Sequence, residues 1–214
     1  MKRYNFTLTE LLVTIGIIII LAGLAIPAVL VAQQKGRVTA AKADMNAILT
    51  ALKGVEGTYH KMVNANKDFG GKSGVDYKAG STKYGIKLGG TDAVDAYDNF
   101  IVELSDPSNA GLSSLNINRR KIKFLDPKSD YDPAETIANN KEHLWRDPWG
   151  NPYVIMISVD GNDRLVKPDA PSNGRFIMSK TALYSFGPNG ENNQGKNAVE
   201  GGDKLDDDIA TWHK

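Results

Sequence analysis

Residues 11–32 carry no charge at all, and Glu10 closes this stretch on one side as Lys35 does on the other. As a helix this run of 22 positions would extend about 33 Å at roughly 1.5 Å per residue, enough to cross the hydrocarbon core of a bilayer. Lys2 and Arg3 precede it and fit the inside-positive end, although Lys35 and Arg37 follow closely and make the asymmetry weak. A cleavable secretory signal is the competing reading, with Gly23-Leu24-Ala25 as its small-x-small site and Ile26 as the first mature residue.

Two features oppose that reading. Glu10 stands where the apolar run begins, and a carboxylate carried to the bilayer centre costs about 2.5 to 3.5 kcal/mol, which a plain signal has no reason to incur. The helical pattern also continues past the cleavage site. Val38, Ala41, Met45, Ile48, Leu52, Val55, Tyr59 and Met62 recur at alternating intervals of 3 and 4, a stripe of helical period. The simplest arrangement is one long helix, half in lipid and half laid on a domain. Pro27 leaves the carbonyl of Gly23 without its helical partner, so a kink or local melting is expected there. Gly16 and Gly23 share a face; close helix approach and ordinary membrane-helix glycine use explain them equally well.

Composition narrows the function. With 26 basic and 25 acidic residues the formal charge is +1, which gives no bulk field for nucleic acid. The absence of cysteine excludes disulfides, thiolate zinc sites and thiol nucleophiles, and the three histidines have no metal-ligand spacing. No Gly-x-Ser-x-Gly, His-Glu-x-x-His or helix-opening Gly-x-Gly-x-x-Gly occurs, so an enzyme is not expected.

Residues 64–90 are polar and glycine-rich and read as an exposed loop; Gly70-Gly71-Lys72-Ser73 is not a P-loop, because Asn66 stands where the first glycine belongs. Val94, Tyr97, Ile101 and Leu104 predict a second helix, capped by Thr91 or Asp92 and ended by Asp106-Pro107. Residues 122–125 form a short apolar patch expected to pack under the main helix, and residues 126–140 are turn-rich. Residues 153–159 read as a strand pairing back with 164–166 across the turn Asp160-Gly161-Asn162-Asp163, with further strands at 175–178 and 182–186. The expected fold is α+β, with the long helix on a small antiparallel sheet.

Phe6-Thr7-Leu8-Thr9-Glu10-Leu11-Leu12-Val13, after a short basic leader and before the apolar run with Pro27, resembles the N-terminus of type IV pilins and type II secretion pseudopilins. The resemblance implies that a prepilin peptidase cuts between Asn5 and Phe6 and methylates the new amine. It also makes Glu10 an assembly residue, neutralised by the amine of a neighbouring subunit, with Pro27 at its family place. Asn5 stands where the family has Gly, and Thr9 where it more often has Ile.

A second set of residues resembles the major pseudopilin of type II secretion: Asp147-Pro148-Trp149-Gly150-Asn151-Pro152-Tyr153, then Leu183-Tyr184-Ser185-Phe186-Gly187-Pro188-Asn189-Gly190, then Asp208-Ile209-Ala210-Thr211-Trp212. It implies a pilin-like fold and a calcium ion clamping the C-terminal loop, with Asp207 and Asp208 as side-chain ligands, the carbonyl of Phe186 as a donor, and Asn189 where the family has Asp. Trp149, Tyr153 and Trp212 read as core and turn packing rather than a binding platform.

Together these imply a leader at residues 1–5, a transmembrane and assembly helix at 6–34, and a periplasmic domain at 35–214 with an unmatched part at about 64–140. The protein would be an inner-membrane subunit, N-terminus cytoplasmic, polymerising with other pseudopilins on the secretion assembly platform. A type IV pilus or competence pilin is the alternative within the class, and a membrane-anchored binding module the alternative outside it.

Overall fold

The structure, a computed structural model, describes residues 7–60, 75–79, 82–88, 94–105, 118–126, 145–158, 165–166, 176–191 and 207–212. The chain divides into two compact units, Met1–Thr39 and Ala40–Lys214.

Helix α1, Leu8–Tyr59, runs from the first unit into the second. The first unit consists, among its described residues, of the start of this helix with its apolar side chains uncovered: Leu24 is 74% and Leu8 78% exposed. It is long and apolar enough to cross a membrane. The helix is unbroken through Pro27, so the expected local melting does not occur: one missing N–H and one orphaned carbonyl are not enough to unwind it when flanking turns keep their ladders.

In the second unit the stripe works as its spacing predicts, because Ala41, Met45, Ile48, Leu52 and Val55 are all buried. Helix α2, Val94–Ser105, buries Tyr97, Phe100, Ile101 and Leu104. Its expected cap and stop, like Met62, lie outside the described residues.

Among the described residues the sheet has five antiparallel strands in the order β1-β2-β3-β6-β7: β1 Val75–Ala79, β2 Thr82–Leu88, β3 Val154–Ser158, β6 Thr181–Ser185 and β7 Ile209–Ala210. Register is fixed by pairs such as Leu88↔Ile155, Val154↔Tyr184 and Tyr184↔Ala210. β4, Leu165–Val166, and β5, Phe176–Ile177, form a separate two-stranded ribbon.

Two expectations are corrected. Residues 64–90 are not wholly loop, since β1 and β2 lie there; Thr82, Tyr84, Ile86 and Leu88 alternate with Lys and Gly at the strand period, a pattern masked by the polar composition. Nor does β3 pair with 164–166. It pairs with β2 and β6, and a two-residue segment cannot compete with registers four residues long.

Both faces of the central strands are covered, which is why every residue of β3 and β6 is buried. Val154, Met156, Ala182, Tyr184, Phe186 and Ala210 gather with Leu165 and Ile177 of the ribbon, and Trp212 packs against them, its ring 5.9 Å from that of Tyr184. Alternation sends Tyr153, Ile155 and Ile157 to the other face, where the Tyr153 hydroxyl reaches Asp44 of α1 at 2.7 Å. On the patch at 122–125, Phe124 packs beside Tyr59 with ring centroids 6.4 Å apart, and a Cβ on Gly54 would stand 3.0 Å from its ring. Leu125 is buried, whereas Ile122 is 37% exposed.

Candidate functional site

The three segments that carry the pseudopilin resemblance are far apart in sequence and meet at one end of the sheet. Asp147 organises the meeting. Its Oδ1 accepts the N–H groups of Trp149 at 3.0 Å and Asn151 at 2.8 Å, while its own N–H donates to the Asn151 carbonyl at 2.8 Å and its carbonyl accepts from Gly150 at 3.0 Å. These bonds close the tight turn that Pro148, Pro152 and Gly150, at φ 94°, predispose. Its Oδ2 accepts the hydroxyl of Ser185, at the end of β6, at 2.6 Å. The same hydroxyl oxygen accepts the N–H of Gly187 at 3.1 Å. Asp147 is 5% exposed, so a carboxylate that would be costly to bury alone is met by three donors.

Beyond Ser185 the chain turns through Gly187 at φ 67°, where a Cβ would stand 2.3 Å from the carbonyl oxygen of Asp207. Only glycine permits both that dihedral and that approach. The Asp207 Oδ2 accepts the N–H of Asn189 at 3.0 Å, and the Asn189 Oδ1 accepts the N–H of Glu191 at 2.7 Å. The terminal segment then joins the sheet: Thr211 N–H donates to the Leu183 carbonyl at 2.9 Å, and its hydroxyl oxygen accepts the Leu183 N–H at 3.1 Å.

Of the residues expected to hold calcium, the structure thus brings the segment with Phe186 and Asn189 beside the segment with Asp207 and Asp208. Phe186 is 3% and Asp208 1% exposed. Each offers oxygen, the ligand type that suits a hard cation. Among the described residues no group of three or more His, Cys, Asp or Glu side chains stands together as a metal centre. Trp149 is half-buried and Tyr153 fully buried, as packing residues are.

At the N-terminus, Asn5 and Phe6 lie outside the described residues. Glu10 is exposed and bound locally: its Oε2 accepts the Thr7 N–H at 2.8 Å and the Thr7 hydroxyl at 2.7 Å, while Glu10 N–H approaches the Thr7 Oγ1 at 3.3 Å. This is a capping box, and the Thr-x-x-Glu spacing that signals it was present in Thr7-Leu8-Thr9-Glu10.

Two further features escaped the sequence reading. Burial, reinforced by Asp44, pushes the Tyr153 phenol far above its ordinary range. Asn118, 3% exposed, ties the ends of both helices together. Its Oδ1 accepts the Tyr59 hydroxyl at 2.9 Å and the Ile122 N–H at 3.0 Å, and its Nδ2 donates to the carbonyls of Glu103 at 3.0 Å and Ile122 at 2.6 Å. No periodicity or turn dipeptide marks such a long-range clamp.

Comparisons with protein-family models, with curated proteins and with solved structures find no match to this chain.

Proposed function

We propose that the protein is a structural subunit of a type II secretion pseudopilus, assembled through the first part of α1 from a membrane-stored precursor. The observation that carries the reading is the contrast along α1. Large apolar side chains from Leu8 to Val31 lie uncovered, while the same helix buries Ala41 to Val55 in a domain. A surface of this kind requires lipid or other such helices around it. Glu10 then serves as a register device, because an acid inside a bundle of apolar helices needs a cation, which the freed amine of Phe6 in the next subunit supplies. The subunit would be stored in the inner membrane with its N-terminus cytoplasmic and its domain periplasmic. The prepilin peptidase, the assembly platform and other pseudopilins would be its partners. The activity is polymerisation rather than catalysis.

N-terminal sequencing of the mature protein tests this directly. Phe6 as first residue supports assembly, Ile26 indicates plain secretion, and an intact Met1 indicates a simple anchor. Glu10→Val subunits are expected to fold and to be excluded from filaments, and their entry at the parent level overturns the register role.

One observation favours a second reading. The capping box satisfies Glu10 within its own helix, so the acid has a use in a single chain, as in a membrane-anchored binding module. Thr7→Ala separates the two, since it removes the hydroxyl bonds of the box, keeps the backbone N–H bond to Glu10, and leaves the carboxylate for a neighbour's amine: lost folding with assembly intact favours the single-chain use.

Calcium belongs to the same proposal. The Phe186 carbonyl, Asn189, Asp207 and Asp208 would hold it, and the ion would compensate the buried Asp208 and the half-buried Asp207 carboxylates in a chain that no disulfide can staple. Chelation is expected to lower the melting temperature of the full chain in detergent, and an unchanged transition removes the ion from the account.

A further inference from the structure

We infer that the turn at residues 119–123 is a preorganised cationic docking site for an acidic segment of a partner protein. Four of these five residues are Arg119, Arg120, Lys121 and Lys123, and all five are exposed. The backbone beneath them is fastened from below. Besides the four bonds of the Asn118 side chain, the Asn118 N–H donates to Glu103 Oε2 at 3.2 Å, Lys121 N–H to the Asn118 carbonyl at 3.0 Å and Arg120 N–H to the Tyr59 hydroxyl oxygen at 2.9 Å. Phe124 and Leu125 donate to the Leu104 carbonyl at 2.9 and 3.0 Å.

Lys121 is held at φ 54°, where Gly or Asn would sit with less strain. The fold therefore keeps a charge at a position that local energetics would give to a smaller residue. The Arg120 guanidinium lies 5.7 Å from the centre of the Tyr59 ring, which orients it without neutralising it. Lys123 meets Asp126 at 2.9 Å, but these side chains are 51% and 95% exposed, so the pair exchanges readily for another carboxylate.

The size of the cluster selects the partner. Consecutive residues stand about 3.8 Å apart along the chain, less than one Debye length of about 8 Å at physiological salt, so neighbouring charges of the turn act together on a short ligand. Duplex nucleic acid presents a charge about every 1.7 Å over a much longer path, and a chain of net charge +1 supplies no wider field to follow it. A protein segment with three or four carboxylates matches the turn, and a rigid receptor reduces the ordering that such binding opposes. This site lies in the second unit and stands whether or not the N-terminal helices assemble.

The test uses the full chain in neutral detergent micelles and a fluorescent peptide of eight glutamates, read by anisotropy. Affinity is expected to fall about tenfold or more between roughly 50 and 300 mM NaCl. The K121Q/K123Q variant is expected to lose about fivefold or more at an unchanged melting temperature. K121R/K123R keeps the charge and is expected to bind within about threefold of the parent. Undiminished binding by the glutamine variant, or loss in the charge-preserving one, overturns the proposal. Tighter binding of a short duplex DNA than of the peptide overturns it in favour of nucleic acid.

Discussion

Two turns in the second unit are each built on one buried polar side chain, and they use different chemistry for the same task. Asp147 closes the turn at 147–151 and fastens it to β6, whereas Asn118 closes 118–122 and fastens it to α1 and α2. Around Asp147 only donors converge: two backbone N–H groups and the Ser185 hydroxyl. Around Asn118 donors and acceptors both converge, since it must satisfy an N–H and a hydroxyl on one side and two carbonyls on the other. A carboxylate suits the first environment and an amide the second. Each turn is then tied to α1 by a tyrosine hydroxyl, Tyr153 to Asp44 and Tyr59 to Asn118.

The largest expected effect is at the charged clamp. Asp147→Ala leaves two part-buried N–H groups and a buried hydroxyl without an acceptor and should destabilise the protein by about 3 to 4 kcal/mol, or roughly 10 °C in melting temperature. Asp147→Asn turns an NH₂ toward donors and should lose about half as much. Thermal unfolding followed by circular dichroism measures both.

The amide clamp comes next. Asn118→Ala should lose about 2 to 3 kcal/mol in the same measurement. The crossed substitution is the sharper one: Asn118→Asp presents a carboxylate to the carbonyls of Glu103 and Ile122, and is expected to be at least as damaging as alanine. If either crossed exchange, Asp147→Asn or Asn118→Asp, left stability at the parent level, the distinction between the two environments would be wrong.

The two turns also differ in how far they could be read beforehand. Asp147-Pro148-Trp149-Gly150-Asn151-Pro152 announces its own geometry, because Pro and Gly fix dihedrals locally and Asp closes on N–H groups two and four residues away. Asn118 bonds to Tyr59, 59 residues earlier, and no local pattern carries that information. The same division runs through the fold. The α1 stripe and the strand expected at 182–186 and found at 181–185 were legible because periodicity is a local property. Which strand β3 would choose was not, since a turn signal at 160–163 cannot be weighed against a longer register with β6. At the candidate calcium loop the sequence showed which oxygens are available, while Gly187 beside the Asp207 carbonyl shows how tightly the two segments meet.

The smallest effects concern the tyrosine ties, and here the two turns are expected to part company with pH. Tyr153→Phe should remove about 1 kcal/mol at neutral pH with its bond to Asp44, and Tyr59→Phe up to about 2 kcal/mol, because its hydroxyl both donates to Asn118 and accepts the Arg120 N–H. Burial and the neighbouring Asp44 hold the Tyr153 phenol protonated in the folded state to well above its unfolded value near 10. Below that value both states keep the proton and the full stabilisation is present. Above it the unfolded chain releases the proton and the folded chain does not, so stability falls by up to about 1.4 kcal/mol per pH unit from this residue. Denaturant unfolding between about pH 9 and 11 should therefore show a shallower decline for Tyr153→Phe than for the parent, the two curves drawing together as pH rises. Parallel curves would mean that the phenol ionises in the folded protein as well, and that the tie to α1 at Asp44 is wet rather than buried.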